Sequence, residues 1–258
     1  MSGEGPPLVL VHGATADHHR WRPLLPYLER RFTVRALDRR GRGESGDAPT
    51  YDIVREFEDV AAVVDTVAED TSSPVDVYGH SYGGMCAFGA ATLTANVRRL
   101  VLYEGWPPVH LEAWASPLEV LERMDSLLGA DDRDAALELL MREVVMMSDD
   151  EIAAIRAQPS WPARVAAVHT VPRELRALTS VPFDASTAAT ISAPTLLIVG
   201  SESPDPAASE VDVIAAALPN ARIQVLDGHQ HVADVLAPEL VAEAIISFLE
   251  GPAPLRAT

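Results

Sequence analysis

The fold of this chain is decided by Pro74-Val75-Asp76-Val77-Tyr78-Gly79-His80-Ser81-Tyr82-Gly83-Gly84-Met85-Cys86-Ala87-Phe88-Gly89-Ala90-Ala91. Residues 74–78 form a short, mostly apolar run of strand character. Residues 84–91 form a small-residue stretch of helix character. Between them, Gly79–Gly83 reads G-x-S-x-G. Strand, sharp turn and helix lift a serine hydroxyl clear of the backbone and hold it strained and exposed. Gly79 and Gly83 leave room for the turn where a Cβ would clash. The pentapeptide alone recurs by chance. In this setting it predicts a nucleophilic Ser81 rather than an ordinary tight turn.

Outward from this turn, short apolar runs alternate with helical segments. The runs are Leu8–Val11, Phe32–Leu37, Val75–Tyr78, Leu100–Tyr103, Thr195–Val199 and Ile223–Leu226. Helical patterns fall near Trp21–Glu29, Ile53–Glu69, Met85–Thr94, Glu210–Leu218 and Pro238–Leu249. This alternation predicts an α/β fold, a mostly parallel sheet flanked by helices. The rhythm breaks over residues 106–193, where helix signals occur without a convincing strand. Ser116-Pro117-Leu118-Glu119 and Ser148-Asp149-Asp150-Glu151 read as capping boxes. Residues 131–147 carry apolar side chains at helical spacing, and prolines 159, 162, 172, 182 and 194 punctuate the rest. The expected organisation is a core of residues 1–105 and 194–250, a helical cap inserted over 106–193, and a loose tail over 251–258.

Composition narrows the function. The 258 residues are 48% hydrophobic and 22% charged, ordinary for a soluble globular protein. All 20 basic residues are arginine, so lysine Schiff-base and Walker-type lysine chemistry are excluded. The net charge of −18 argues against nucleic acid, anionic membrane or an acidic carrier protein as partner. The single cysteine, Cys86, has no partner for an internal disulfide and reads as a packing residue. Residues 1–7 show no signal-peptide pattern, and no run is long enough to span a bilayer. A cytoplasmic location is the expectation.

A nucleophilic serine needs a base, an acid that orients the base, and donors for the oxyanion. After such an elbow the order is serine, acid, histidine. Of the eight histidines, only His229 and His231 follow the final strand. His231 directly precedes the last helical region and is the favoured base, with His229 the alternative. Three carboxylates compete for the acid. Glu104 ends the apolar run Leu100–Tyr103, while Glu202 and Asp205 follow Leu197-Ile198-Val199-Gly200. Asp205 also reads as a helix N-cap. The N–H of Tyr82, just after the serine, is the first expected oxyanion donor, and that of Ala14, in the loop after Leu8–Val11, is the second. His12 reads as a buried hydrogen-bonding residue beside that loop. His12, Trp106, Met146 and Trp161 are the candidates for the substrate pocket.

Two other patterns are set aside. Gly41-Arg42-Gly43-Glu44-Ser45-Gly46 matches G-x-G-x-x-G, but Asp47-Ala48-Pro49 follows where a dinucleotide site needs a helix. Asp17-His18-His19 lacks further ligands at metal-binding spacing. No metal and no cofactor are expected.

The chain resembles the α/β-hydrolase superfamily, in its small, cofactor-free, esterase-like branch. The resemblance rests on Leu8–Gly13, Asp38–Ser45, Gly79–Gly84 and Gly228–Ala233, in that order. It implies a triad of Ser81, His231 and a carboxylate, oxyanion donors at Ala14 and Tyr82, and a helical lid. Two departures matter. The common pattern places an Asp directly before the proline after the next-to-last strand, where Ser203 stands here. Some relatives, certain haloalkane dehalogenases among them, carry a Glu at the end of the preceding strand, which favours Glu104. Family members also usually open with a β-hairpin that is missing here. A sheet of six strands follows, or an edge covered by a partner such as a second copy in a homodimer.

The resemblance implies a serine hydrolase that cleaves a small-molecule carboxylic ester or lactone. A serine nucleophile argues against dehalogenase and epoxide hydrolase chemistry, which uses Asp. Perhydrolysis, C–C hydrolysis or a tailoring lyase step on the same triad is the alternative reaction. A small-molecule receptor without turnover is the alternative class.

Overall fold

Side chains on a strand point alternately to its two faces, so Leu8-Val9-Leu10-Val11 can serve two cores at once. In the computed structural model, which describes residues 1–252, it does so. Six strands form one sheet: β1 (Pro7–Val11), β2 (Thr33–Leu37), β3 (Val75–His80), β4 (Val97–Tyr103), β5 (Thr195–Gly200) and β6 (Ala221–Leu226). All pair in parallel, in the order β2-β1-β3-β4-β5-β6. Val9, Val11, Val77, Leu100, Leu102 and Leu197 join one buried cluster. Leu8, Leu10, Tyr78, Val101, Tyr103 and Ile198 join the other. Residues 253–258, the end of the expected tail, lie outside the described residues.

Before the turn to β4 the helices are α1 (Leu25–Leu28), α2 (Ile53–Thr71) and α3 (Tyr82–Ala91). After β5 come α11 (Ala207–Ala217), α12 (Ala233–Leu236) and α13 (Pro238–Glu250). Helices α2, α3 and α11 pack on the face of Val9 and Val11. Helix α13, with Trp21 and Leu28, covers the other face. Asp52 starts α2 by accepting the Val54 N–H at 2.9 Å. Ser2 pairs antiparallel with Val34 on the outer edge of β2, so that edge is partly closed by the chain's own residues.

The segment between β4 and β5 holds α4 (Leu111–Trp114), α5 (Leu118–Gly129), α6 (Arg133–Leu139), α7 (Asp149–Arg156), α8 (Trp161–Ala167), α9 (Val171–Ala177) and α10 (Ala185–Ala188). The Ser148 capping box forms: its N–H donates to Glu151 Oε2 at 2.8 Å, and the Glu151 N–H donates to Ser148 Oγ at 3.3 Å. The Ser116 box does not. Pro117 takes the cap position with ψ 137°, so α5 begins at Leu118 and Ser116 falls outside the first turn. The helical pattern of residues 131–147 is also broken. A π-turn over Leu140–Val144 ends α6, and Met146 turns back at φ +59°.

A buried ion network ties this segment to the sheet. Arg39, just after β2, donates from Nε and Nη2 to Glu56 on α2 at 2.7 and 2.6 Å. Its Nη2 also reaches Glu174 on α9 at 2.5 Å. Arg42 lies 2.8 Å from the same Glu174 oxygen. Two arginines thus face two carboxylates out of water. Removing one member of such a set strands a buried charge. Arg39→Met is expected to lose about 3–5 kcal/mol of stability, read by urea denaturation. A loss within about 1 kcal/mol would show that the network does not hold the two parts together.

Candidate active site

In a sheet ordered β2-β1-β3, the chain reverses direction at β1, and a crevice opens beyond the C-terminal ends of β1 and β3. The Gly13 loop and the Ser81 turn meet there. Ser81 has φ +56° and ψ −131°, a conformation costly for a residue with a Cβ. Its N–H donates to the Tyr103 carbonyl at 2.9 Å. Packing enforces the strain. A Cβ on Gly83 would fall on the Val11 and His12 carbonyl oxygens, and one on Gly79 would lie 2.6 Å from Gly84 Cα. Ser81 Oγ has no hydrogen-bond partner among the described residues and borders the cavity.

Glu104 directly follows β4 and sits in the left-handed region at φ +43°. His231 Nδ1 donates to its Oε2 at 2.7 Å. The Gly200 N–H donates to Oε1 at 3.0 Å, and Ser203 Oγ–H donates to the same oxygen. With the proton on Nδ1, the neutral imidazole carries its lone pair on Nε2. Burial pushes the Glu104 carboxyl up, but the donors from His231, Ser203 and Gly200 outweigh it and hold it below the usual carboxylate range.

The loop that carries His231 is clamped. His80 Nε2–H donates to the His231 carbonyl at 2.7 Å. Burial, with the charges of Arg20 and His231 nearby, pushes the His80 imidazole well below its usual value, so it stays neutral. Tyr103 Oη–H donates to the Gln230 carbonyl and accepts the Ala233 N–H at 3.2 Å. The other candidates lie apart from this pair. The Glu202 side chain is exposed, and its N–H meets the His229 carbonyl at 3.0 Å. Asp205 borders the cavity without a hydrogen bond to His231. It does not cap α11 either, because Pro206 takes the cap position with no side-chain bond.

A cavity of about 280 Å³ lies over Ser81. Ala14, Tyr82, Glu104 and His231 share its wall. The N–H of Tyr82 opens α3 and so lacks an intrahelical acceptor. Gly13, next to Ala14, stands so close that a Cβ there would lie 2.9 Å from the Ser81 Cβ. Met141, Met146, Met147, Trp106 and Trp114 supply apolar wall from the segment beyond β4. Two pocket expectations need correction. His12 is fully buried behind the wall, where Nδ1–H donates to the Gly13 carbonyl at 2.9 Å and Nε2 accepts the Arg39 N–H at 3.1 Å. Trp161, half-buried on α8, lies off the cavity wall. Its indole N–H donates to Asp134 at 2.8 Å, and the Arg156 guanidinium stacks on its ring at 4.4 Å.

Arg20, Arg164 and Thr15 also border the cavity. No local pattern singles out these two arginines among 20 dispersed ones, and Thr15 stands in no motif of its own. Asp17, His18 and His19 do come within 4.8 Å of one another. Their polar atoms are engaged locally: His18 Nδ1 meets Asp38 at 2.9 Å, and Asp17 accepts the His19 N–H at 2.8 Å. The Gly41–Gly46 stretch forms a loop around the Asp38 carboxylate, onto which a Cβ at Gly43 would fall.

A profile of the Alpha/beta hydrolase family matches residues 8–244, and the chain belongs to that family of hydrolytic enzymes. The (E)-2-((N-methylformamido)methylene)succinate hydrolase of Acinetobacter baylyi is 26% identical over 251 residues, 96% of this chain and 92% of that one. The 2-(acetamidomethylene)succinate hydrolase of Mesorhizobium japonicum is 27% identical, covering 96% of this chain and 90% of its own. An alpha/beta hydrolase from Sphaerobacter thermophilus superposes with a TM-score of 0.76 at 35% identity, covering 93% of both chains. Among the described residues no helix is long and apolar enough to cross a membrane.

The lowered Glu104 carboxyl makes a testable link to stability. Its folded value lies below its unfolded value of about 4.3. The resulting stabilisation is present above that pH and is lost as pH falls through the folded value. Urea denaturation of the wild type is therefore expected to weaken more steeply below pH ~4.3 than that of Glu104→Gln. Parallel acid limbs would refute the link.

Proposed function

We propose that the chain is a serine hydrolase that cleaves a small-molecule carboxylic ester or lactone. The observation that carries the reading is the His231–Glu104 pair at 2.7 Å on the same cavity wall as the strained Ser81. Ser81 Oγ attacks the acyl carbon while His231 Nε2 takes its proton. Glu104, acceptor of the Nδ1–H, stabilises the imidazolium that forms. The N–H groups of Ala14 and Tyr82 bind the oxyanion of the tetrahedral intermediate. Collapse expels the alcohol, which takes its proton from His231 and leaves an acyl-Ser81. Water then attacks the acyl carbon with His231 again as base, the bond to Ser81 Oγ breaks, and His231 returns the proton to Oγ as the acid leaves. Residues 106–193 act as the cap that shapes the acyl pocket.

A second reading rests on the names of the two sequence relatives. They are hydrolases of formamido- and acetamido-methylene succinates, and neither is named for an ester. The same groups can direct water to a C–N or C–C bond.

The test is covalent labelling with a fluorophosphonate together with turnover of short p-nitrophenyl esters. Ser81→Ala is expected to abolish both. Glu104→Gln is expected to lower kcat by about 10⁴-fold, since an amide can hold the wrong imidazole tautomer. Asp205→Asn is expected to lose far less. Full labelling and turnover in Ser81→Ala would sink the reading, and a reversed ranking of the two carboxylates would sink the assignment of Glu104.

A further inference from the structure

Among the described residues, buried arginines come with carboxylates, with one exception. Arg39 and Arg42 face Glu56 and Glu174. Arg20 grips both oxygens of Asp234 at 2.7 and 2.6 Å. Arg164, on α8, is only 5% exposed, yet its side chain has no ion-pair or hydrogen-bond partner among the described residues. It borders the same cavity as Ser81 and His231. The charges felt there are Arg20, Asp234 and Asp17. Asp234 is gripped by Arg20, and neither it nor Asp17 forms an ion pair with Arg164. The corner of the cavity between Arg20 and Arg164 therefore holds one guanidinium with no carboxylate of the described residues in direct contact.

An unpaired guanidinium out of water is costly, and a fold that keeps one in an active-site wall leaves room for an anion from outside. We infer that Arg164 is a substrate-binding residue, and that the substrate carries a free carboxylate which its guanidinium holds while Ser81 attacks an acyl carbon elsewhere in the molecule. The inference rests on the serine-hydrolase reading and names the substrate class for it. The planar guanidinium fork fits a carboxylate with two parallel hydrogen bonds. A single unpartnered guanidinium suits a monoanionic group. A phosphate dianion would call on a second free cation, and Arg20 is spent on Asp234. Burial and the neighbouring Arg20 push the Arg164 guanidinium down to about 9, which leaves it charged at neutral pH. The apolar wall from Met141, Met147 and Trp106 suits the carbon skeleton between carboxylate and acyl group.

The test compares two esters that differ only at the distal end: p-nitrophenyl hydrogen glutarate and its methyl ester, in which the carboxylate is capped. The wild type is expected to favour the free acid by about 100-fold in kcat/KM, mostly through KM. Arg164→Met is expected to bring that ratio close to one, and Arg164→Lys to restore part of it. A wild-type ratio near one, or an equal ratio in wild type and Arg164→Met, would overturn the inference. Fluorophosphonate labelling of Arg164→Met at Ser81 checks that the variant site is assembled. Glutarate itself gives a readout without turnover. It is expected to raise the melting midpoint of the wild type and not that of Arg164→Met, and no rise in the wild type would again overturn the inference. Glutarate stabilisation in a wild type whose Ser81 does not label would support the anion site and refute the serine-hydrolase reading.

Discussion

The structure depends on how closely its backbones approach around Ser81. Gly83 lies against the Val11 and His12 carbonyls, Gly84 against Gly105, and Gly105 against the Ser81 carbonyl. A Cβ at any of these would push two strands or a strand and a helix apart. The contacts hold Ser81 at φ +56° and thereby send its two neighbours in opposite directions. His80 reaches the carbonyl of His231. Tyr82 donates from Oη to Tyr51 at 2.8 Å, and Tyr51 donates to Glu56 at 2.7 Å. Glu56 in turn accepts from Arg39, whose Nη2 also reaches Glu174 between β4 and β5. The two variable positions of the pentapeptide thus connect the serine to the histidine loop on one side and to the inserted helices on the other.

The carboxylate behind His231 shows the same economy of position. Ser203 stands where the common pattern of the family has an aspartate, and its hydroxyl donates to Glu104 instead. The loop after β5 has not lost contact with the histidine. It supplies a donor to the carboxylate that comes from the neighbouring strand end. Glu104 reaches that place because the backbone turns at φ +43° and Gly105 then slips beneath Ser81. Two oxygens accepting three donors keep this buried group ionised where desolvation alone would favour protonation.

What was legible in the sequence follows from the range of the physics involved. Strand alternation and helix periodicity are local, and all six expected strands lie within a few residues of their places. The serine turn is also local, and the glycine spacing announces it. His231 was legible through chain order rather than contact. The preference for Glu104 over Glu202 and Asp205 came from the resemblance and not from local pattern, because side-chain distance across β4 and β5 has no local signature; the structure brings Glu104 to His231. The Ser116 cap failed because Pro117 competes for the same position. His12 and Trp161 failed as pocket residues because a buried histidine between two backbone groups, or an indole held by Asp134, reads in sequence like any cavity-lining side chain. Arg164 was invisible for the opposite reason: its distinguishing property is a missing partner, which only the packed structure reveals.

That missing partner has to be weighed against a chain whose net charge is −18. At physiological ionic strength, charges more than about 8 Å apart through solvent are largely screened. The acidic surface therefore repels an approaching anion only weakly at range and offers it no steering. Inside the cavity the balance reverses, because the apolar wall screens little and Arg164 is close. Recognition of a carboxylate there would come from a short-range hold after entry rather than from a fast encounter. It would appear as slower release and a lower KM, while the association rate would stay ordinary. The arginine also lies on a helix of the inserted segment, not on the sheet that carries Ser81 and Glu104. On the proposed reading, chemistry and selection fall to different parts of the chain, joined through the Arg39 network, and the substrate would be held where the two meet.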